Sequence, residues 1–245
     1  MLTAVGVGSA TVFGAIIGFI FKKITHRFSD AVLSFAAGVM LAVAILGLIL
    51  PSIDYGGKYG VFITSFGIFA GALCINFMDM VIPHLHKISA ADKKTRNNAD
   101  LNKVMLFVTA IAIHNLPEGI VAGIGFGSGN TLNALFIAGG IALQNIPEGM
   151  VIIAPMLAAG VSPQKTFVIA LVTGLIEVAG TFIGYFAVSL ANAVLPVSLA
   201  FAGGTMLYVI SDEMIPETHS NGSERSATYA LLVGFCVMLI TDALI

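Results

Sequence analysis

Eight windows of about 20 mostly apolar residues take up most of this chain, and about 20 is the number a helix needs to cross a bilayer. They fall at roughly 2–21, 30–51, 60–82, 103–126, 131–158, 163–190, 194–212 and 227–245 in a chain of 245 residues. Only 10% of the residues are charged, against about 25% in an ordinary soluble domain. That is too little charge to cover a surface facing water, so lipid is the solvent for most of the chain. In hydrocarbon a helix satisfies its backbone groups within its own segment. The expected fold is an all-α polytopic membrane protein with a single transmembrane domain over 1–245. Its one long connection is the polar stretch 83–102, expected to be mobile.

The basic residues give an independent check on the span count. With eight spans, Lys22, Lys23, Arg27, Lys87, Lys93, Lys94, Arg96, Lys103, Lys165 and Arg225 all fall on one side of the membrane and only Lys58 on the other. A wrong count would scatter them. Cytoplasmic loops carry the excess of Lys and Arg, so both termini are expected outside, the 83–102 loop in the cytoplasm, and the chain in the cytoplasmic membrane of a bacterium. Lys22 and Lys23 follow the first apolar segment instead of preceding it, unlike a secretory signal peptide. Cys74 and Cys236 both lie within apolar stretches and imply neither a disulfide frame nor a zinc ribbon. A net charge of −2 and the lack of a basic run give no reason to expect nucleic acid as a partner.

The chain repeats itself twice. At an offset of 166, Leu33, Phe35, Ala36, Gly38, Met40, Leu41 and Val43 match Leu199, Phe201, Ala202, Gly204, Met206, Leu207 and Val209. The same offset pairs Val12, Gly14, Ile17 and Gly18 with Val178, Gly180, Ile183 and Gly184. Spans one and two thus resemble six and seven, and an odd separation of five spans makes the copies antiparallel. The expected architecture is an inverted repeat of spans 1–3 and 6–8 around a central pair, spans 4 and 5. No residue match supports the third pair, spans three and eight. Inverted repeats are a common build of secondary transporters, with the substrate site near the midplane.

The second repeat is sharper. Ile111-Ala-Ile-His-Asn-Leu-Pro-Glu-Gly-Ile-Val121 is echoed by Ile141-Ala-Leu-Gln-Asn-Ile-Pro-Glu-Gly-Met-Val151. On a helix, residues four apart share a face, so His114 points with Glu118 and Gln144 with Glu148. Asn115 and Asn145 lie one residue round, able to serve a second centre beside the first. Pro117 and Pro147 are expected to kink their helices at Ile113 and Leu143.

A carboxylate near the bilayer centre costs at least about 2.5 kcal/mol. Glu118, Glu148 and Glu177 have no Lys or Arg within their spans to neutralise them. A bound dication would. One imidazole, three carboxylates and amide oxygens make a mixed N/O set suited to Zn²⁺, Fe²⁺, Mn²⁺ or Cd²⁺. Taken singly, His114 reads as a hydrogen-bonded core histidine, Glu177 as a protonated carboxyl and Met40 as packing. Two identically spaced Pro-Glu-Gly turns have no evident packing purpose, and they favour the metal.

At His114-Asn-Leu-Pro-Glu-Gly119 and Gln144-Asn-Ile-Pro-Glu-Gly149 the chain resembles the ZIP (Zrt/Irt-like) divalent metal transporters of prokaryotic type. The resemblance implies a binuclear centre between spans 4 and 5, and elevator-type movement of one helix bundle against another. It assigns His114, Glu118, Gln144 and Glu148 to the first metal, with Met40 from span two. Asn115, Asn145 and Glu177, with the shared Glu118 and Glu148, go to the second. Asp79, His84, His86 and Glu213 resemble an inner release station. Two positions depart from the family pattern. Gln144 stands where many relatives have His or Asp, and Asn145 where some have Asp, so the second centre carries less negative charge here. Asp212 stands where a relative can carry His.

The expected function is passive entry of a divalent transition metal, Zn²⁺ foremost and also Cd²⁺, Fe²⁺ or Mn²⁺, into the cytoplasm. The metal is transported substrate, and no catalytic cofactor is expected. The partners are that ion and the lipid bilayer, and a homodimer is compatible with the chain. No G-x-x-x-x-G-K-[ST] loop occurs, which argues against nucleotide hydrolysis. An inside-negative potential of 100 mV favours entry of a dication by roughly 4.6 kcal/mol. The alternatives are a metal-selective channel, which sequence does not separate from a carrier, and an intramembrane metalloenzyme. A zincin needs His-Glu-x-x-His, and His114 is followed by Asn115 with no histidine at 118. A metal sensor would need an output domain.

Overall fold

The computed structural model describes residues 2–21, 25–90, 99–190, 194–220 and 222–245, and among them no strand occurs. Eight long helices follow one another: α1 (Leu2–Ile20), α2 (His26–Tyr55), α3 (Gly60–Ala90), α4 (Ala99–Gly127), α5 (Thr131–Ala158), α6 (Pro163–Leu190), α7 (Leu195–Thr218) and α8 (Glu224–Leu244). Each falls on one of the apolar windows. Six of them, α2, α3 and α5 to α8, are long and apolar enough to cross a membrane, and α1 offers the shorter apolar stretch Ala4–Ile20. This is an all-α integral membrane protein.

The expected loop 83–102 is shorter than the sequence suggested. Helix α3 continues to Ala90 and α4 already begins at Ala99. Leu85, Lys87 and Ala90 are strong helix formers and extend the apolar rod past the membrane-length segment. His84 and His86 therefore lie on a helix, although their side chains, like that of Asp79, lie outside the described residues.

Helices α4 and α5 run through Pro117, Pro147 and Pro155 as continuous α-helix. The helical register changes elsewhere, in π segments at Val43–Ile49 of α2 and Ile210–Met214 of α7. A proline follows each one. Pro51 lacks the N–H that the Gly47 carbonyl would take in an α-helix, and Pro216 lacks the one for Asp212. The ladder widens ahead of each: Leu50 N–H bonds to the Ile45 carbonyl and Ile215 N–H to the Ile210 carbonyl, both five residues back.

The helices pack as two units. In one, α4 lies along α6, α1 along α5, and α1 along α6; in the other, α3 lies along α7 and α2 along α8. Contact within the first unit is backbone to backbone. A Cβ on Gly119 would sit 2.1 Å from the Glu177 carbonyl oxygen, and one on Gly149 would sit 2.0 Å from that of Thr11. Between the units, side chains meet instead. Met40, Val43 and Leu48 of α2 close with Val121 and Ile124 of α4 and with Ile137 and Ile141 of α5 into one apolar core. The most apolar stretch of α5 is 78% buried and that of α3 only 22%. Phe62, Phe66, Phe69 and Phe77 of α3 turn outwards, as suits a lipid-facing surface.

Candidate metal pathway

The two Pro-Glu-Gly motifs place their polar residues inside this bundle. His114, Asn115, Glu118, Gln144, Asn145, Glu148 and Glu177 are all buried. Helices α4 and α5 are antiparallel neighbours, so the motifs face one another. Gln144 Nε2 donates to Glu118 Oε1 at 2.6 Å. Asn145 Nδ2 donates to Glu177 Oε1 at 2.5 Å, and Thr11 Oγ1 of α1 donates to Glu177 Oε2 at 3.3 Å.

Several acceptors are left without a partner. Glu118 Oε2, Gln144 Oε1, Asn115 Oδ1 and Asn145 Oδ1 are buried and make no hydrogen bond, as is the Asn115 amino group. Buried polar groups are nearly always paired, and an unpaired one costs about 1–3 kcal/mol. Four oxygens of this kind stand on two facing helices.

A cavity of about 400 Å³ leads to this place from the α7–α8 end of the bundle. His114, Glu118 and Glu148 form its floor side, and Asp212, Glu213 and Glu217 of α7 its wall. The π segment ahead of Pro216 carries Asp212 and Glu213. His114 Nε2 lies 2.7 Å from Glu213 Oε1, in a geometry that is not aligned as a hydrogen bond. At the opposite, α4–α5 end, the apolar core intervenes. A second cavity there, lined by Asp54, Asn133 and Asp242 among others, does not touch the motif residues.

Not every expected residue meets the others. Among the described residues no three His, Cys, Asp or Glu side chains are close enough together to hold a metal by themselves. The buried polar atoms beside them are the amide oxygens of Gln144, Asn115 and Asn145. Met40 is 1% exposed within the apolar core and is not among the residues lining the cavity. Sequence reasoning missed Thr11 and Glu217. Thr11 carried a signal, since the 166-residue offset lays it on Glu177.

A helical membrane protein that opens a polar cavity onto a buried imidazole and onto unpaired amide and carboxylate oxygens is of the class that passes cations across a bilayer. The sequence model of the ZIP zinc transporters matches residues 84–242. The chain is 33% identical to zinc transporter GufA of Myxococcus xanthus, over 96% of this chain and 94% of the relative. It is 35% identical to zinc transporter ZIPB of Bordetella bronchiseptica, over 96% and 77%. With zinc transporter ZupT of Chlorobaculum parvum the identity is 32%, over 96% and 92%. The chain belongs to the ZIP family. It is a divalent metal ion transporter and not an enzyme.

Proposed function

We propose that this chain carries Zn²⁺, and with it Cd²⁺, Fe²⁺ or Mn²⁺, from outside into the cytoplasm by alternating access. The observation that carries this reading is the cavity reaching buried His114, Glu118 and Glu148 from the α7–α8 end, with the apolar core at the other among the described residues. Its mouth at the α7–α8 end is on the side of Arg27, Lys165 and Arg225, the cytoplasmic side by the excess of basic residues. The arrangement is thus the inward-open one. All eight helices span the cytoplasmic membrane and both termini lie outside.

Helices α1, α4, α5 and α6 move as one body against α2, α3, α7 and α8. Support comes from the contrast in packing. Backbone approaches through Gly119 and Gly149 lock the first unit, whereas the boundary with the second is made of side chains that can slide. The glycines also support an inverted repeat. Gly119 meets the carbonyl of Glu177 and Gly149 that of Thr11, which stands 166 residues before Glu177. Gly71 of α3 meets the carbonyl of Phe201, and Gly234 of α8 meets that of Phe35, 166 residues earlier. This second relation extends the repeat to spans three and eight, where residue matching found nothing.

His114, Glu118, Gln144 and Glu148 bind the ion, with Asn115 and Asn145 beside them. Met40 joins from α2 when the moving unit brings the ion to it. Glu213 receives the ion on its way out, followed by Asp79, His84 and His86 on α3. The test is flux of Zn²⁺, Cd²⁺, Fe²⁺ and Mn²⁺ into proteoliposomes holding the purified chain. Glu118→Ala and Glu148→Ala should each abolish it, and unchanged flux in both would overturn the route.

A further inference from the structure

We infer that the α4–α5 centre holds one ion, and that Glu177 does not ligate a second but is a carboxylate clasp held by Asn145 and Thr11. The inference deepens the proposed centre and rests on that reading.

Its ground is an account of the Glu177 oxygens and of the unpaired acceptors around them. Glu177 is 0% exposed, and both its carboxylate oxygens are already taken. Oε1 accepts from Asn145 Nδ2 and Oε2 from Thr11 Oγ1. The unpaired acceptors are elsewhere: on Asn115, Glu118, Gln144 and Asn145 of α4 and α5, and on Ser34 of α2 and Glu213 of α7. The unmet need for a cation thus lies on the α4, α5 and α7 side of the centre. It does not extend to α6.

The residue at 145 explains the difference in electrostatic terms. An aspartate there would face Glu177 with a second negative charge, and two carboxylates in a dry interior need a cation between them. Asparagine presents an N–H instead. With the Thr11 hydroxyl it supplies two donors to one carboxylate, which is the work a second ion would do. Neither donor comes at a cost in mobility, because both partners are fixed. The Thr11 backbone lies against Gly149 and the Glu177 backbone against Gly119, so close that a Cβ on either glycine would collide with a carbonyl. A second ion would have to turn the Asn145 amino group away and leave it unpaired.

The clasp joins α1, α5 and α6 within the moving unit, and makes Thr11 a positioning residue for Glu177. The measurement is Zn²⁺ bound per chain at saturation by the purified full-length protein, from which the amount bound by a Glu118→Gln/Glu148→Gln double variant is subtracted. That difference counts the ions of the centre alone. It should be one for wild type and one for Glu177→Gln, and Asn145→Asp should raise it to two. Two ions in wild type, falling to one in Glu177→Gln, would overturn the clasp and leave the centre standing. A difference of zero would overturn the centre itself. Should Glu177→Gln fail to fold, Thr11→Val and Thr11→Ser serve instead. Both should still bind one ion, Thr11→Val should melt at a lower temperature, and Thr11→Ser should restore it. A loss of bound Zn²⁺ in Thr11→Val that Thr11→Ser restores would overturn the inference, because it would make Glu177 a ligand.

Discussion

Asn133 of α5 donates its side-chain N–H to the carbonyl of Gly47 in α2, at 3.1 Å. Gly47 is four residues before Pro51, so this carbonyl has lost its α-helical donor within its own helix. The bond crosses from the unit of α1, α4, α5 and α6 to that of α2, α3, α7 and α8 at the α4–α5 end, beside the apolar core. A net hydrogen bond contributes about 1 kcal/mol, or roughly fivefold in a two-state ratio. Asn133→Ala should therefore shift molecules towards the arrangement open at that end by about this factor. Spin labels on cysteines at positions 55 and 132, with Cys74 and Cys236 replaced by serine, would read the separation of α2 and α5. An unchanged distance distribution would mean that the bond holds nothing shut.

The glycine contacts set a stability prediction. Gly149→Ala would put a methyl group 2.0 Å from the Thr11 carbonyl oxygen and 3.1 Å from the Ala15 nitrogen, with only backbone to yield. Overpacking of this kind costs about 1–3 kcal/mol, occasionally more. Gly6→Ala is the control, since a Cβ there meets nothing within 4 Å, and helix propensity favours alanine by about 1 kcal/mol. Thermal unfolding in detergent should show Gly149→Ala several degrees below wild type and Gly6→Ala at or above it. Equal melting of the two variants would refute the tight α1–α5 approach.

Gln144 holds Glu118 by its amide N–H and keeps its oxygen unpaired. Gln144→His replaces a hard oxygen donor by an imidazole nitrogen, which suits Zn²⁺ better than Mn²⁺. Competition between the two ions for uptake should move towards Zn²⁺ by a factor on the order of ten, about 1.4 kcal/mol. Identical uptake profiles would remove Gln144 from the set of ligands.

Much of this arrangement could be read from the residues. The window 131–158 became α5 with the same bounds, and the two motifs came to face each other because an even repeat on adjacent antiparallel helices leaves little choice. What escaped was the part that depends on the partner helix. Thr11 reads as one small polar residue in an apolar run until Glu177 is placed beside it. Gly71 of α3 and Gly234 of α8 meet carbonyls 166 residues apart, a relation visible only once their partner helices are in place. Pro51 and Pro216 lay at or beyond the ends of their windows, so their π segments were not foreseen. Hydropathy marks where a helix is apolar, not where its ladder must widen.

The pair formed by His114 and Glu213 bears on release. Glu213 is 27% exposed by side chain and lies on the wall of the cavity. Its carboxylate shares that cavity with Glu118 and Glu148, yet it belongs to the unit of α2, α3, α7 and α8. The contacting atoms His114 Nε2 and Glu213 Oε1 are both buried, and a single polar contact of this kind contributes about 1 kcal/mol net. Glu213→Ala should thus slow uptake by no more than about fivefold. The change should appear in the maximal rate, because release comes after binding, and the half-saturating Zn²⁺ concentration should stay within a factor of about two of wild type. Initial rates in proteoliposomes over a range of external Zn²⁺ separate the two quantities. A variant that keeps its maximal rate but needs far more Zn²⁺ would place Glu213 at the binding step and take it out of the exit path.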